Sequence, residues 1–190
     1  MNKIIWPLLL CAVLCGCGGG ETGNAVQEQY STLETARLEA EVTSHTSTDS
    51  RTFTLLCSYD ADGDTVTTVT APGELAGLTA VVSGTDMTLS SEGLQLPAGA
   101  SLDICPANCL PYLLRALADG YVLEQSSEAL DNTPCLRLAL DTTAPGGGKV
   151  LCAVWLDAEG LFPRYAEFSR NEQVVLTVKL LAFTCTTSEG

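Results

Sequence analysis

"WLDAEGLFPRYAEFSRNEQVVLTVKL", residues 155–180, is the stretch on which the fold turns. Arg164 to Ser169 and Gln173 to Phe183 read as the two arms of a hairpin, with Arg170-Asn171-Glu172 as its turn. Lys149 to Leu156 supplies the strand before them, so three antiparallel strands follow one another at the C-terminal end.

Working towards the N-terminus, the same grammar repeats. Tyr121 to Ser127 and Cys135 to Thr142 are further strands, and Ala144-Pro145-Gly146-Gly147-Gly148 is an exposed loop. Strict alternation places Leu38, Ala40 and Val42 on one face and Glu39, Glu41 and Thr43 on the other. Phe53, Leu55, Cys57 and Tyr59 line one face of the next strand. Short strands follow at Asp64 to Ala71, Leu78 to Val82, Met87 to Ser90 and Gly93 to Leu96. Their connections, Asp62-Gly63, Pro72-Gly73, Ser83-Gly84 and Pro97 to Gly99, are turn chemistry. Closely spaced strands with tight turns predict an antiparallel meander.

Two helices interrupt the strands. Leu110, Leu113, Leu114 and Leu117 fall at i, i+3, i+4 and i+7 within Pro106 to Ala118, with Pro111 in the first turn and Gly120 as a stop. Ala25 to Arg37 carries Val26, Tyr30, Leu33 and Arg37 at helical spacing.

The first residues read differently. Lys3 is a lone positive charge, Ile4 to Val13 is apolar, and Gly18-Gly19-Gly20 follows a small-residue zone. This is the layout of a secretory signal over residues 1–16, too short to span a bilayer. Leu14-Cys15-Gly16-Cys17 resembles the bacterial lipobox, which implies a diacylglyceryl group on Cys17 as the membrane anchor. Cys15 and Cys11 fit less well, because bulky apolar residues precede them. Residues 17–26 are rich in Gly, Thr, Glu and Asn and predict a flexible tether. The remainder, 27–190, has the length of one domain.

The formal net charge is −14, and loss of Lys3 makes it one unit more negative. A nucleic-acid partner would require a basic patch. Anionic lipid would not attract this surface either, so membrane residence rests on the anchor. Besides Cys17, six cysteines follow the signal: Cys57, Cys105, Cys109, Cys135, Cys152 and Cys185. An even number outside the cytoplasm permits disulfides. Cys105 and Cys109 form the most suggestive local pair, and Cys109, near a helix N-terminus, invites a lowered thiol pKa.

No catalytic constellation emerges. His45 is the only histidine and lies on the polar side of its strand. "YDADGD", residues 59–64, lacks the Gly and Glu that an EF-hand loop needs and reads as a hairpin turn. Cys105 and Cys109 have no second pair or nearby His to complete a zinc set. "APGGGK", residues 144–149, lacks the Lys-Ser/Thr step of a phosphate loop. Neither an enzyme, a metal nor a cofactor is expected.

The order of elements resembles bacterial lipoproteins of the LolA/LolB-like superfamily: lipobox, helix, antiparallel meander, inserted amphipathic helix, more strands. Within residues 155–180, Asp157, Gly160 and Pro163-Arg164 resemble the strand and "D-x-x-x-G-x-P-x-R" turn of such proteins, here spaced D-x-x-G-x-x-P-R with an extra residue at Leu161-Phe162 and one fewer in each of the other two gaps. The resemblance implies an α+β fold: a curved antiparallel sheet of about ten to eleven strands forming an incomplete β-barrel, covered by a few helices. It also implies an extracytoplasmic location and an apolar ligand, a lipid or acyl chain, held between sheet and helices. Phe53, Leu55, Val150, Val154, Leu176 and Val178 on the sheet and Leu110, Leu113 and Leu117 on the helix suit that role. The same side chains also suit a filled core, in an interaction module with an envelope protein partner. A thiol–disulfide protein using Cys105 and Cys109 is the third reading.

Overall fold

The computed structural model describes residues 19–84, 86–100, 103–144 and 147–188. Cys17 and residues 1–16 lie outside them. Eleven strands form one antiparallel sheet: β1 Leu33–His45, β2 Ser50–Asp60, β3 Thr65–Ala71, β4 Thr79–Ser83, β5 Asp86–Ser91, β6 Leu94–Ala100, β7 Tyr121–Leu130, β8 Thr133–Thr143, β9 Lys149–Asp157, β10 Pro163–Arg170 and β11 Gln173–Thr187. The spatial order is β6-β5-β4-β3-β2-β1-β11-β10-β9-β8-β7, so the sheet is open, with β6 and β7 as its edges. The first and last strands meet in the middle, where β1 pairs with β11.

Alternation explains which face is buried. Leu38, Ala40 and Val42 are fully buried, while Glu39 and Glu41 are exposed. The register aligns inner residues in rows across the strands. One row runs Leu138–Val154–Ala166–Val178–Val42–Phe53 from β8 to β2. The outer face is polar and internally paired: Arg137 lies 5.4 Å over the Trp155 ring, and Trp155 Nε1 donates to Glu128 at 2.9 Å.

Two helices cover the inner face of one half of the sheet. α2, Cys109–Asp119, packs on β2 and β8, and α1, Gly19–Ser31, packs on α2 and β7. The leucines of α2 all face inward, and Tyr112 meets Phe168 edge-on at 5.9 Å. Gly120 ends α2 in an extended conformation. A side chain there would stand 2.4 Å from the Ala116 carbonyl, so close approach demands the glycine.

α1 differs from its sequence expectation at both ends. Residues 19–26, predicted as part of the tether, are helical, and residues 33–37, predicted as helix, are strand. The helix buries Val26 and Tyr30, and Gln27 Nε2 donates to the Gly120 carbonyl at 2.7 Å, so tertiary packing outweighs the weak helix propensity of its glycines. From Leu33 the alternating burial matches the sheet instead, and Arg37 pairs with Ser58 and Thr184. Among the described residues no helix is long and apolar enough to cross a membrane.

Among the described residues three two-residue turns use left-handed residues, one of them Glu92-Gly93 between β5 and β6, at φ 49° and 84°. Asp131-Asn132 joins β7 to β8 and Asn171-Glu172 joins β10 to β11, all four at positive φ. Such two-residue turns match the strand twist.

Candidate functional site

The residues expected to line a ligand face divide into two groups. Leu110, Leu113 and Leu117 of α2, with Val150, Val154, Leu176 and Val178 of the sheet, are each at most 2% exposed and belong to one continuous core. Under the helices the space is filled by side chains. Leu55 is equally buried in that core, at 1% exposed, but with the half-buried Phe53 it also borders an apolar cleft of about 200 Å³.

Strands β2 to β5 form the floor of this cleft. Leu55 is paired with Val69, and Thr67 with Ala80, which in turn opposes Leu89. The roof comes from Leu75 in the short helical turn Gly73–Leu75, from Leu78, and from the loop Cys105-Pro106-Ala107. Asn108 shapes that loop. Its Oδ1 accepts the Cys105 N–H at 2.8 Å, and its Nδ2 donates to the Asp103 carbonyl at 2.8 Å. The Asp103 carboxylate binds Arg170 on β10, which ties the roof to the other half of the sheet. That hydrogen bond holds the Asp103 carboxyl below the usual carboxylate range.

The cleft is smaller than the 300–1,000 Å³ or so typical of small-molecule sites. It suits one aliphatic segment rather than a bulky ring system. Among the described lining residues Thr67 is the one with a hydroxyl; it is 3% exposed and opposes Cys57 across β2 and β3, with side-chain hydrogen bonding between the two. The Cys57 thiol lies beside it, and burial pushes that thiol up to about 11, so it stays neutral. Arg170 is engaged by Asp103 and Arg51 by Asp49 at 3.6 Å, and neither arginine lines the cleft. A larger hollow of about 490 Å³ lies on β1, β2 and β11, but Thr35, Arg37, Asp60 and Thr184 make it polar, without the enclosure that an apolar ligand requires.

The cysteines depart from expectation. Cys105 and Cys109 are free thiols rather than a disulfide, as are Cys57, Cys135, Cys152 and Cys185. Cys109 points into the core from the first turn of α2, fully buried, and its Sγ donates to the Pro106 carbonyl at 3.5 Å. Burial drives its pKa well up, where a helix N-terminus alone would lower it. Desolvation outweighs the helix dipole here, and the protonated thiol is a poor nucleophile. His45 lies within hydrogen-bond distance of Ser50 and Thr177 on the outer face. The "YDADGD" stretch is a turn in which Asp60 Oδ1 accepts the Asp62 N–H at 3.0 Å. Among the described residues no cluster of His, Cys, Asp and Glu converges to hold a metal ion.

Sequence reading missed Thr67, Ala80 and Leu89 as lining residues. β3 and β4 were legible as strands, but a Thr/Val-rich strand has no strongly contrasting faces, so nothing marked the inward side. Their partnership appears only when the register of five strands is known.

No family model and no curated protein matches the sequence. Solved structures with a similar fold include an uncharacterized conserved protein from Thermus thermophilus, 8% identical, covering 89% of this chain and 90% of that one with a TM-score of 0.54. A DUF1329 family protein from Desulfovibrio piger is 13% identical, covering 89% and 94%, with a TM-score of 0.51. The LolA superfamily protein NE2245 from Nitrosomonas europaea is 10% identical, covering 88% and 94%, with a TM-score of 0.48. The likeness is one of fold. What is shared is an open antiparallel sheet whose inner face is partly covered by helices.

Proposed function

We propose that this protein is a lipid-anchored lipoprotein of the cell envelope that binds the aliphatic part of a lipid in the cleft between β2–β5 and the roof loop, without catalysing a reaction. The observation that carries the binding is the cleft itself: Phe53, Leu55, Val69, Ala80 and Leu89 enclose about 200 Å³ that the described side chains leave open. Covering such apolar surface contributes about 25 cal/mol per Å². The seven core leucines and valines act as scaffold, and the uncovered half of the sheet acts as the site.

The lipobox supports the anchor. Cys17 stands two residues before Gly19, where α1 begins, a reach of about 7 Å. A diacylglyceryl group there sets α1 against the membrane and orients the sheet relative to it. Labelled palmitate fed to cells producing the protein tests the anchor: the wild type incorporates label and Cys17→Ser does not. For the cleft, the uncharged dye Nile red is the probe. The described strands, helices and core lie within residues 19–188, and the chain from Gly19 onward is the unit to use. Its Nile red fluorescence rises on binding, and Ala80→Phe, which fills the cleft from β4, abolishes the rise. An Ala80→Phe variant that binds the dye as well as the wild type overturns the assignment.

A further inference from the structure

We infer that the ligand's path continues from the cleft past Phe53 into a polar hollow at the β1–β2 turn, and that the two spaces together take a single-chain amphiphile with a zwitterionic head group. This rests on the cleft being the seat of the aliphatic chain.

The direction comes from β2. Its alternate residues Leu55, Phe53 and Arg51 share the inner face, where they oppose Ala40, Val42 and Ser44 of β1. Exposure rises along that row: Leu55 is buried, Phe53 half-buried and Arg51 exposed. The strand passes from an apolar end to a charged one within four residues, about 13 Å of chain. An aliphatic chain with a polar end has the same gradient in the same sense.

The hollow shares two walls with the cleft. Ser44, Thr46, Asp49 and Arg51 line a space of about 490 Å³, and Phe53 and Pro106 border both spaces. Cleft and hollow together fall within the range of roughly 300–1,000 Å³ typical of small-molecule sites, which the cleft alone does not reach.

The head-group class comes from the charges. Among the described residues lining the hollow, Asp49 and Arg51 are the ionisable ones, a carboxylate and a guanidinium 3.6 Å apart. The turn fixes the carboxylate. Thr46 Oγ1 accepts the Asp49 N–H at 3.0 Å and donates to the Asp49 carbonyl at 2.9 Å. Asp49 Oδ1 accepts the Ser50 N–H at 2.8 Å, and Oδ2 is the atom that meets Arg51. Both side chains are more than half exposed, and an ion pair in that setting holds weakly. A phosphate therefore replaces Asp49 at the guanidinium for little cost, and an ammonium on the same head group takes up the carboxylate. A lone anion leaves the Asp49 charge beside it, and a lone cation leaves that of Arg51.

The experiment is displacement of Nile red from the chain beginning at Gly19 by dodecylphosphocholine, dodecyl phosphate and dodecyltrimethylammonium, each below its micelle-forming concentration. The phosphocholine is expected to bind at least about threefold more tightly than either of the others, the scale of an exposed ion contact. Arg51→Gln is expected to remove its advantage over the cation, and Asp49→Asn its advantage over the anion. Both substitutions lie at exposed positions outside the core, so dye binding itself stays as in the wild type. Equal displacement by all of these amphiphiles, or an advantage that survives either substitution, overturns the inference while the cleft stands as an apolar site. Displacement by none of them overturns both.

Discussion

The phenol of Tyr30 donates to the Leu161 carbonyl at 3.1 Å, joining helix α1 to the β9–β10 turn across 131 residues of sequence. Gln29 Nε2 reinforces the joint by donating to the Gly160 carbonyl at 3.2 Å. The helix is therefore docked by its C-terminal end on the same turn that carries Asp157 and Gly160. Tyr30→Phe removes the donor and leaves the carbonyl short of a partner, at an expected cost of about 1 kcal/mol. Tyr30→Ala also empties buried volume and costs about 3–5 kcal/mol. Urea unfolding of both variants checks the difference.

Asp157 organises that turn from within. Its carboxylate accepts the N–H groups of Glu159 at 3.2 Å, Gly160 at 2.6 Å and Phe162 at 3.1 Å. Asp157→Ala strands three donors, and the expected loss is about 2 kcal/mol. Asp157→Asn keeps an acceptor and should lose about half of that. Equal losses in the two variants would show that the charge, not the acceptor geometry, shapes the turn.

The end of α2 leaves no room for a side chain. Gly120→Ala places a carbon against the Ala116 carbonyl, and Leu140 blocks relief on the other side. The expected destabilisation is about 1–3 kcal/mol, the range for overpacking. Since φ at Gly120 is −65°, a thermal melt reads this steric cost without a left-handed backbone penalty.

Glu172 is the opposite case. It adopts φ 64° in the β10–β11 turn, where a side chain is strained and glycine is not. Glu172→Gly should therefore stabilise the protein by a few tenths to about 1 kcal/mol, after allowance for glycine's greater freedom in the unfolded chain. A lower urea midpoint for this variant would contradict the turn geometry.

Stability should fall on the alkaline side. Burial raises the Cys57 thiol from 9.0 to about 11, pushes Cys109 and Cys152 upward as well, and lifts the phenols of Tyr30 and Tyr112 above 10.0. Above pH 9 the unfolded chain loses these protons while the folded chain keeps them, so the folded state is disfavoured as pH rises. The stabilisation is complete below pH 9 and, for Cys57, lost by about pH 11. Under reducing conditions the urea midpoint should drop markedly between about pH 8 and pH 10.5, and Cys57→Ala should blunt that drop.

Much of the scaffold was legible before any coordinates. The alternation of Leu38, Ala40 and Val42 identified the buried face of β1, and Leu110, Leu113, Leu114 and Leu117 identified the buried face of α2. Both are cases where one element's own periodicity decides burial. Gly19 to Asn24 misled because glycine and polar residues signal a tether, whereas contacts with β7 and α2 hold them in a helix. The ligand face misled more instructively. Val150, Val154, Leu176 and Val178 have the same alternating pattern as Leu55 and all five are buried in one core, yet only Leu55 also borders the cleft, beside a short turn and a loop. A hollow is a property of what lies opposite a face, and periodicity reports only the face.

Native mass spectrometry of the chain from Gly19 onward, purified from cells without detergent, tests the central claim most directly. The account predicts a folded protein carrying one aliphatic molecule that denaturation releases, and an Ala80→Phe variant that carries none. A wild-type protein that is bare, and stays bare after incubation with neutral long-chain lipids, would contradict it. The uncovered half of the sheet would then be only the margin of a filled core.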